Sequence, residues 1–401
     1  MLAGIGILFR LVFIMAIPNL SQDYLRFIWD GQVVSQGFSP YLVSPKSYME
    51  SPDSFGFFIH HAEALSSAMG MPSVANFTNY PPVNQLCFLL AVFITGGKSI
   101  IGTVIGLRSI IILADIGVLY FGKKILEKAK LPLQNIFWYF LNPFIIIELT
   151  GNLHFEGVMV FFFVVSLFFL QKNKWFFSAL FLAMSISTKL IPLMFLPLFI
   201  QWFWKKQDSF WLGFKKLSMY YLTVIGIVFL TFLPFISSSF VNNYFATNAL
   251  WFQKFEFNAS IYYIIRWIGF QYVGWNIIGS VGKILPLIVI TFILIIALFR
   301  KNGSLQQLVT SMLFCISFYL FFSTTIHPWY VATPLLLSIF SKYQFPMIWS
   351  ATVMLSYKAY NGSSVEENYW LIALEYGTVI GVAIWEIYFK KTIPQKQMQG
   401  L

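Results

Sequence analysis

Directly after an apolar segment at residues 2–18 comes Ser21-Gln22-Asp23-Tyr24-Leu25-Arg26-Phe27-Ile28-Trp29-Asp30-Gly31, which places two carboxylates beside a membrane surface. If this stretch is helical, the seven-residue spacing puts Asp23 and Asp30 on one face about two turns apart. Ser21 can cap such a helix, and the dipole of its first turn keeps Asp23 ionised. An ionised acid next to lipid suits a general base that acts on a membrane-bound substrate.

The same stretch has a purely structural interpretation. Arg26 and Asp30 are four residues apart, which is the spacing of an ion pair along one helix face. A polar helix beside the membrane that is held by this pair would need no catalytic role. The local sequence leaves both interpretations open.

Composition indicates an all-α, polytopic integral membrane protein. Of the 401 residues 58% are hydrophobic, 20% aromatic and 10% charged, and the mean hydropathy is +0.73, so the chain cannot form an ordinary soluble surface. Apolar runs predict about twelve transmembrane helices, although several are shorter than the roughly 20 residues of a full span. The predicted spans are 2–18, 99–122, 132–149, 155–171, 174–188, 190–204, 217–236, 276–299, 305–323, 329–341, 345–358 and 369–389.

The distribution of Lys and Arg predicts the orientation, because basic residues gather on the cytoplasmic side. With both termini in the cytoplasm, 16 of the 26 basic residues fall on that side. Topology therefore explains the net charge of +11, and no basic patch for nucleic acid is indicated. The cytoplasmic set is Lys123, Lys124, Lys128, Lys130, Lys172, Lys174, Lys205, Lys206, Lys215, Lys216, Arg300, Lys301, Lys342, Lys390, Lys391 and Lys396.

The apolar run at residues 83–95 is only about 13 residues long, and we interpret it as interfacial or re-entrant. If it spanned the membrane, every later loop would invert its charge bias. Residues 19–98 therefore form one large extracytoplasmic loop within a single transmembrane domain, 1–401. Cys87 and Cys315 both lie in apolar context and imply no disulfide framework.

Several blocks resemble membrane glycosyltransferases of the GT-C fold. The first-loop pattern is Asp23 to Gly31, followed by Gly37-Phe38-Ser39-Pro40-Tyr41 and Tyr80-Pro81-Pro82. Three later blocks resemble the bacterial mannosyltransferase-like branch, which is related to the GT87 and GPI-mannosyltransferase groups. They are Gly151-Asn152-Leu153-His154-Phe155-Glu156-Gly157, Ser187-Thr188-Lys189-Leu190-Ile191-Pro192 and His327-Pro328-Trp329-Tyr330.

The resemblance implies an inverting transfer of a hexose, with mannose favoured, from a polyprenyl-phosphate sugar to an acceptor hydroxyl on the extracytoplasmic face. The acceptor is a glycan, a glycolipid or a protein. An acid early in the first loop is the base in such enzymes, so this role falls on Asp23, with Asp30 as the second choice. Many relatives carry a second acid beside the base, but Gln22 stands there in this chain. The expected location is the cell membrane, and a bacterial inner membrane in particular.

Displacing a lipid phosphate from an anomeric carbon needs a base for the incoming hydroxyl and a cation or donors for the leaving phosphate. Lys189 lies between two short apolar segments near the predicted outer face, where an unpaired cation is costly. A substrate phosphate would satisfy it. A lysine whose apolar stem lets the ammonium group reach the lipid headgroups is the alternative.

The remaining candidate ligands of the donor lie on the same predicted side of the membrane. They are Arg26, Asp30, His154, Glu156, His327, Trp329 and Tyr330. His154 and Glu156 could hydrogen-bond sugar hydroxyls or simply form a polar turn. Trp329 and Tyr330 could stack on sugar or belong to an interfacial aromatic belt, and His327 could be a water-exposed histidine at a helix end.

Arg10, Arg108 and Asp115 lie within predicted spans, where ionisable groups need partners, and we interpret them as structural. Lys254 and Arg266 are further candidates for phosphate binding. The four histidines show no metal-ligand spacing, so no metal or other cofactor is expected, although a divalent ion held by carboxylates and water stays open.

A transporter or flippase of a lipid-linked sugar is the alternative function. It would also place charged residues inside a helix bundle. Transporters commonly show two related halves, whereas the long first loop with its early carboxylates has no counterpart later in this chain. The sequence therefore favours an enzyme.

Overall fold

Helices make up nearly all the regular structure of the chain. The computed structural model describes residues 1–204, 209–361 and 364–390. Its α-helices are α1 Leu2–Val12, α2 Asp23–Ser35, α3 Pro45–Glu50, α4 Ala62–Ala68, α5 Met71–Ala75, α6 Pro82–Thr95, α7 Ile100–Ala129, α8 Phe137–Phe140, α9 Pro143–Ile145, α10 Glu156–Gln171, α11 Trp175–Ile186, α12 Phe199–Trp204, α13 Phe210–Phe232, α14 Ser238–Gln253, α15 Ile261–Val273, α16 Ile278–Phe299, α17 Leu305–Phe322, α18 Ala332–Ser338, α19 Phe345–Thr352 and α20 Tyr369–Ile384.

Tighter and wider helical turns connect these elements. The 3-10 segments are Pro52–Ser54, Leu133–Ile136, Ile191–Leu198, Leu233–Phe235, Pro328–Val331 and Val353–Ala359. The π-helical segments are Ile146–Gly151 and Trp385–Phe389. A short antiparallel pairing of β1 Tyr360–Asn361 with β2 Ser364–Val365 was not expected from the sequence.

Within the described residues, five helical stretches are long and apolar enough to cross a membrane. A sixth crossing is added if Pro143–Gly151 and Glu156–Gln171, which meet at a bend of 114°, form one broken span. The five are Ile100–Ala129, Phe210–Phe235, Ile278–Phe299, Leu305–Phe322 and Tyr369–Phe389. The chain is therefore a polytopic, all-helical membrane protein.

Several predicted spans are not single regular helices. The segment expected at 132–149 is divided into a 3-10 turn, α8, α9 and a π-helical turn, and 190–204 begins as 3-10 helix before α12. Pro143, Pro192 and Pro197 lie at these points. Proline has no N–H to donate and clashes with the preceding turn, which explains why a continuous α-helix does not form there.

Three other predicted spans are also shorter than expected. The helix predicted at 2–18 ends at Val12. The segment 329–341 contains a 3-10 turn and α18, and 345–358 changes from α19 to 3-10 helix at Val353. Ser21 does not cap α2, because the helix begins one residue later than a Ser21 cap requires and its N-cap is Gln22. The Ser21 hydroxyl instead accepts a hydrogen bond of 3.3 Å from the backbone N–H of Asp23.

The predicted first loop folds into helices α2 to α6 and packs on the bundle. The run at 83–95 lies in α6, which contacts α2 on one side and α7 on the other, while α10 contacts α7 and α11. A close approach at Gly31 allows the α2–α6 contact, since a Cβ atom there would lie 2.7 Å from the backbone oxygen of Phe88. Phe27 of α2 also packs edge-on against Phe155, the residue that precedes α10.

Arg10, Arg108 and Asp115 have polar partners inside the bundle. Arg10 of α1 donates from Nε to Asp115 of α7 at 2.8 Å, and both side chains are fully buried. Arg108 donates to the backbone oxygens of Ile14, Thr150 and Gly151. Cys87 and Cys315 are buried free thiols. The predicted cytoplasmic residues Lys205, Lys206, Lys391 and Lys396 lie outside the described residues.

Candidate active site

Asp23 is the first residue of α2. Its carboxylate is therefore close to the positive end of the helix dipole, and about a third of the side chain is exposed, 33%. Burial of the carboxyl group raises the pKa of Asp23, and the charge of Lys189 and a hydrogen bond from Tyr80 lower it to a smaller extent. Asp23 is thus an accessible acid whose pKa lies above its ordinary value of 3.8.

His154 lies beside Asp23. The distance between His154 Nδ1 and Asp23 Oδ2 is 4.0 Å, and the imidazole is fully buried. The preceding residue, Leu153, has φ of +63°, a left-handed conformation that is unfavourable for a bulky side chain. Such strain is often found at functional sites, and here it turns the chain between the π-helical segment and α10.

A second acid lies on the other edge of the His154 ring. Glu148 Oε2 is 3.8 Å from His154 Nε2, and Glu148 is fully buried. The Tyr357 hydroxyl donates to Glu148 Oε2 at 2.8 Å, and the Asn152 amide donates to Oε1 at 3.4 Å. Glu148 is carried by the π-helical segment Ile146–Gly151, a kind of turn that frequently occurs at functional sites.

Lys189 is paired with an acid of the chain. Its Nζ lies 2.8 Å from Oε1 of Glu156, the first residue of α10, whose side chain is fully buried. The same ammonium group lies 5.3 Å from the centre of the Tyr80 ring. Because Lys189 is 15% exposed, its charge is accessible to a ligand as well as to Glu156.

Four rings form a continuous stack that ends at His154. Trp329 stacks on His154 with ring centres 3.6 Å apart, and His327 stacks on Trp329 at 4.5 Å. Phe257 then stacks on His327 at 5.4 Å. Tyr330 packs edge-on against His327. Burial lowers the pKa of His327 to about 4, assisted by the charge of Lys189, so this ring is neutral near pH 7.

Arg26 and Asp30 make their contacts elsewhere. Arg26 Nε donates to Asp30 Oδ1 at 2.7 Å, and both side chains are almost fully buried. Gln85 donates to the other oxygen of Asp30 at 3.0 Å, and Arg26 also donates to the backbone oxygens of Ser73 and Asn76. The i,i+4 ion pair of the structural interpretation is present within α2, and the hydrogen bonds of its two members to Gln85, Ser73 and Asn76 connect α2 to α6 and α5.

The other candidates for phosphate binding are not part of this cluster. Arg266 forms an ion pair with Glu256 and donates to the Tyr369 hydroxyl at 2.9 Å. Lys254 is exposed at the end of α14. Among the residues that the structure describes, no three His, Cys, Asp or Glu side chains are arranged to hold a metal ion.

Sequence reasoning missed three members of the cluster. Tyr80 had a signal, because it begins the Tyr-Pro-Pro block. Glu148 lies within the apolar run predicted as the span 132–149, and its place in a π-helical turn has no sequence signature. Tyr357 is two hundred and nine residues from Glu148 in sequence, and no motif marks it.

An apolar groove of about 450 Å³ has Leu190, the residue that follows Lys189, in its lining. The other lining side chains belong to the 3-10 segment Ile191–Leu198, to α16 and to the C-terminal end of α17, and include Ser323 and Thr324. Both α16 and α17 are long and apolar enough to cross a membrane. In sequence, a cation therefore directly precedes a residue of this apolar surface.

The first half of the chain matches a known family. The MptA_B family, described as alpha-(1->6)-mannopyranosyltransferase, N-terminal domain, matches residues 3–206, just over half of the chain. The matched residues contain Asp23, Tyr80, Glu148, His154 and Lys189. No curated protein matches the sequence.

Proposed function

The chain belongs to the alpha-(1->6)-mannopyranosyltransferase family and is a hexosyltransferase, and from this premise we propose that it transfers mannose, with inversion, from a polyprenyl-phosphate sugar to an acceptor hydroxyl. The transfer takes place on the extracytoplasmic face of the cell membrane. The acceptor is a glycan, a glycolipid or a protein. Asp23 is the base of this proposal.

The observation that carries the proposal is the combination of an acid, a cation and an apolar groove. Asp23 lies within electrostatic range of Lys189, and Leu190, the next residue, is one of the residues that line the groove. A lipid-linked sugar phosphate has corresponding parts, namely a sugar, an anionic phosphate and a long apolar chain. Lys189 would hold the phosphate and the groove would hold the first part of the polyprenyl chain.

The chemistry then follows from charge and proton transfer. Asp23 takes the proton of the acceptor hydroxyl as its oxygen bonds to the anomeric carbon. The bond from that carbon to the phosphate oxygen breaks on the opposite face, and the electron pair stays on the phosphate. Lys189 stabilises the charge of the leaving phosphate. Because attack with inversion gives an α-linked product only from a β-linked donor, the donor is a β-mannosyl phosphate.

The orientation of the site rests on the positive-inside rule. Twelve crossings with cytoplasmic termini leave Asp23, Lys189 and the first loop, 19–98, outside. The short and broken helices would cross as parts of a packed bundle, since irregular backbone is tolerated in a membrane where it is buried in protein. Arg26 and Asp30 would support the site by holding α2, whereas His154, Glu156, His327, Trp329 and Tyr330 would surround the sugar.

The proposal is tested with purified protein in liposomes that contain radiolabelled polyprenyl-phosphate mannose and a mannoside acceptor. We expect labelled product with the native protein and a loss of at least about 100-fold in kcat with Asp23→Asn. Donor binding should change little, because the amide keeps the shape of the carboxylate but cannot accept the proton. Asp53→Asn is the matched control, since Asp53 is exposed in the same loop.

Three outcomes would contradict the proposal. Full activity of a folded Asp23→Asn variant would exclude Asp23 as the base. Movement of labelled lipid across the bilayer without any covalent product would support a flippase of lipid-linked sugar and place Asp23 on a translocation path. Release of free mannose without transfer would show that water, and not a sugar hydroxyl, is the acceptor.

A further inference from the structure

Both ring nitrogens of His154 lack a hydrogen-bond partner among the residues that the structure describes, although the imidazole is fully buried. Leaving buried polar atoms unpaired is costly, and natural proteins rarely do so without a functional reason. The nitrogens are not far from acids, since Asp23 lies 4.0 Å from Nδ1 and Glu148 lies 3.8 Å from Nε2. These two gaps are too long for direct hydrogen bonds.

A hydroxyl oxygen can bridge two polar atoms at such a separation. An oxygen placed off the line between two polar atoms that are about 4 Å apart can lie about 2.8 Å from both of them. Because burial lowers the pKa of His154, the ring is neutral and carries an N–H on one nitrogen only. The acceptor hydroxyl beside Asp23 donates its proton to that carboxylate, which leaves the ring N–H at Nε2 for a hydroxyl that donates to Glu148.

The gap between Glu148 and His154 lies across the same ring, and we propose that it binds one hydroxyl of the transferred mannose. This inference rests on the proposed function. The attacking oxygen at Asp23 must approach the anomeric carbon to about 3 Å, so the sugar ring lies within a few ångströms of His154. Its own hydroxyls are therefore the nearest groups that can reach the second gap.

Glu148 is held so that it can accept this hydroxyl. Tyr357 donates to Oε2 and Asn152 to Oε1. A carboxylate offers about four acceptor positions, so two hydrogen bonds leave lone pairs free. Trp329 stacked on His154 fixes the plane of the ring. The subsite is thus built from two parts of the chain, with Tyr357 and Trp329 as positioning residues.

The test combines sugar analogues with variants. Citronellyl β-phosphates of mannose and of its 2-, 3-, 4- and 6-deoxy analogues serve as donors, and kcat/KM is measured for each. With the native protein, we expect kcat/KM to be about 10- to 100-fold lower for one analogue than for mannose, because the missing hydroxyl leaves Glu148 and His154 unpaired. In the double variant Glu148→Leu/Tyr357→Phe, kcat/KM for the same analogue should be less than about threefold below that for mannose.

A second variant covers the case in which the first does not fold. His154→Phe keeps a ring that can stack on Trp329 but removes both nitrogens, and it should abolish discrimination against the same analogue. Tyr220→Phe is the matched control, because Tyr220 is another buried tyrosine, with its hydroxyl 3.2 Å from that of Ser178. In this control the analogue should keep its full 10- to 100-fold deficit, within about threefold.

The results separate this inference from the proposed function. If the native protein uses all four analogues as well as mannose, to within about threefold, the hydroxyl subsite is wrong and the mannosyl transfer stands. The subsite would also be overturned if each site variant lowered kcat/KM by the same factor for mannose and for every analogue. If the native protein transfers no mannose from any of these donors, the proposed function itself fails.

Discussion

The ammonium group of Lys189 lies 2.8 Å from Glu156 Oε1, and its charge also lowers the pKa of Asp23. One cation therefore acts on a fully buried acid and on the proposed base. Removing Lys189 alone would leave Glu156 buried without its partner, which typically costs about 3–5 kcal/mol of stability. A change at Lys189 consequently has to be designed together with a change at Glu156.

We predict that Lys189→Met/Glu156→Gln moves the acid limb of kcat/KM to higher pH. The raised pKa of Asp23 means that activity appears as pH rises through that pKa and is lost as pH falls through it. Without the charge of Lys189, the carboxyl group of Asp23 holds its proton more strongly, whereas the loss of the Glu156 charge acts in the opposite direction. Lys189 is the charge with the larger effect on the pKa of Asp23, so the limb moves upward. The pH dependence of kcat/KM in liposomes measures this shift. Lys189→Arg, which keeps the charge, should leave the limb in place, and a downward movement in the double variant would contradict the prediction.

Asp23 and Asp30 should respond differently to the same substitution. Asp30→Asn removes the charge that pairs with Arg26 in the interior of the first loop, so thermal stability should fall, by about 3 kcal/mol or more. The kcat of the folded fraction should fall much less than in Asp23→Asn. Thermal unfolding in detergent and initial rates measure the two effects. Equal losses of kcat in both variants would mean that Asp30 also takes part in the reaction.

The ion pair between α1 and α7 should be structural. Arg10→Met leaves Asp115 buried without its partner and should cost about 3–5 kcal/mol of stability. Arg10→Met/Asp115→Leu replaces both charges with apolar side chains and should recover most of that loss. Thermal unfolding of the two variants provides the comparison. A double variant that is no more stable than Arg10→Met would show that the pair contributes net stability.

Gly31 should not tolerate a side chain. A Cβ atom there would lie 2.7 Å from both the Phe88 backbone oxygen and the Val92 side chain, so Gly31→Ala should destabilise the α2–α6 contact by about 1–3 kcal/mol. Gly4 of α1 is the matched control, since a Cβ atom meets nothing within 4 Å there. Gly4→Ala should be neutral or slightly stabilising because alanine favours helix. Equal unfolding temperatures for the two variants would contradict the close contact.

Much of this architecture could be predicted because hydropathy and charge act over long windows. The apolar runs identified α7, α13, α16, α17 and α20 as helices, and the family resemblance of the sequence was confirmed by the match to residues 3–206. The breaks in the predicted spans were missed because hydropathy does not record backbone hydrogen bonds. A proline inside an apolar run changes the helix type without changing its hydrophobicity.

The composition of the site was harder to predict. Asp23, His154 and Lys189 stand in short polar blocks next to apolar runs, so their proximity to the same surface could be inferred. The pairing of Arg26 with Asp30 could be inferred from their spacing, whereas their further partners Gln85, Ser73 and Asn76 are supplied only by three-dimensional packing. Glu148 and Tyr357 come together through tertiary contact alone, which a single sequence does not encode in any local pattern.

The ring stack has a consequence for protein engineering. Three of its four rings, those of Trp329, His327 and Phe257, lie beyond residue 206, where the family match ends, and only His154 lies within it. The matched segment therefore cannot be moved into another protein as a complete unit. A chimera that joins residues 3–206 to the C-terminal half of another enzyme would keep the base and the cation. It would lack Trp329, so the new C-terminal half would have to supply an indole ring in the position that stacks on His154.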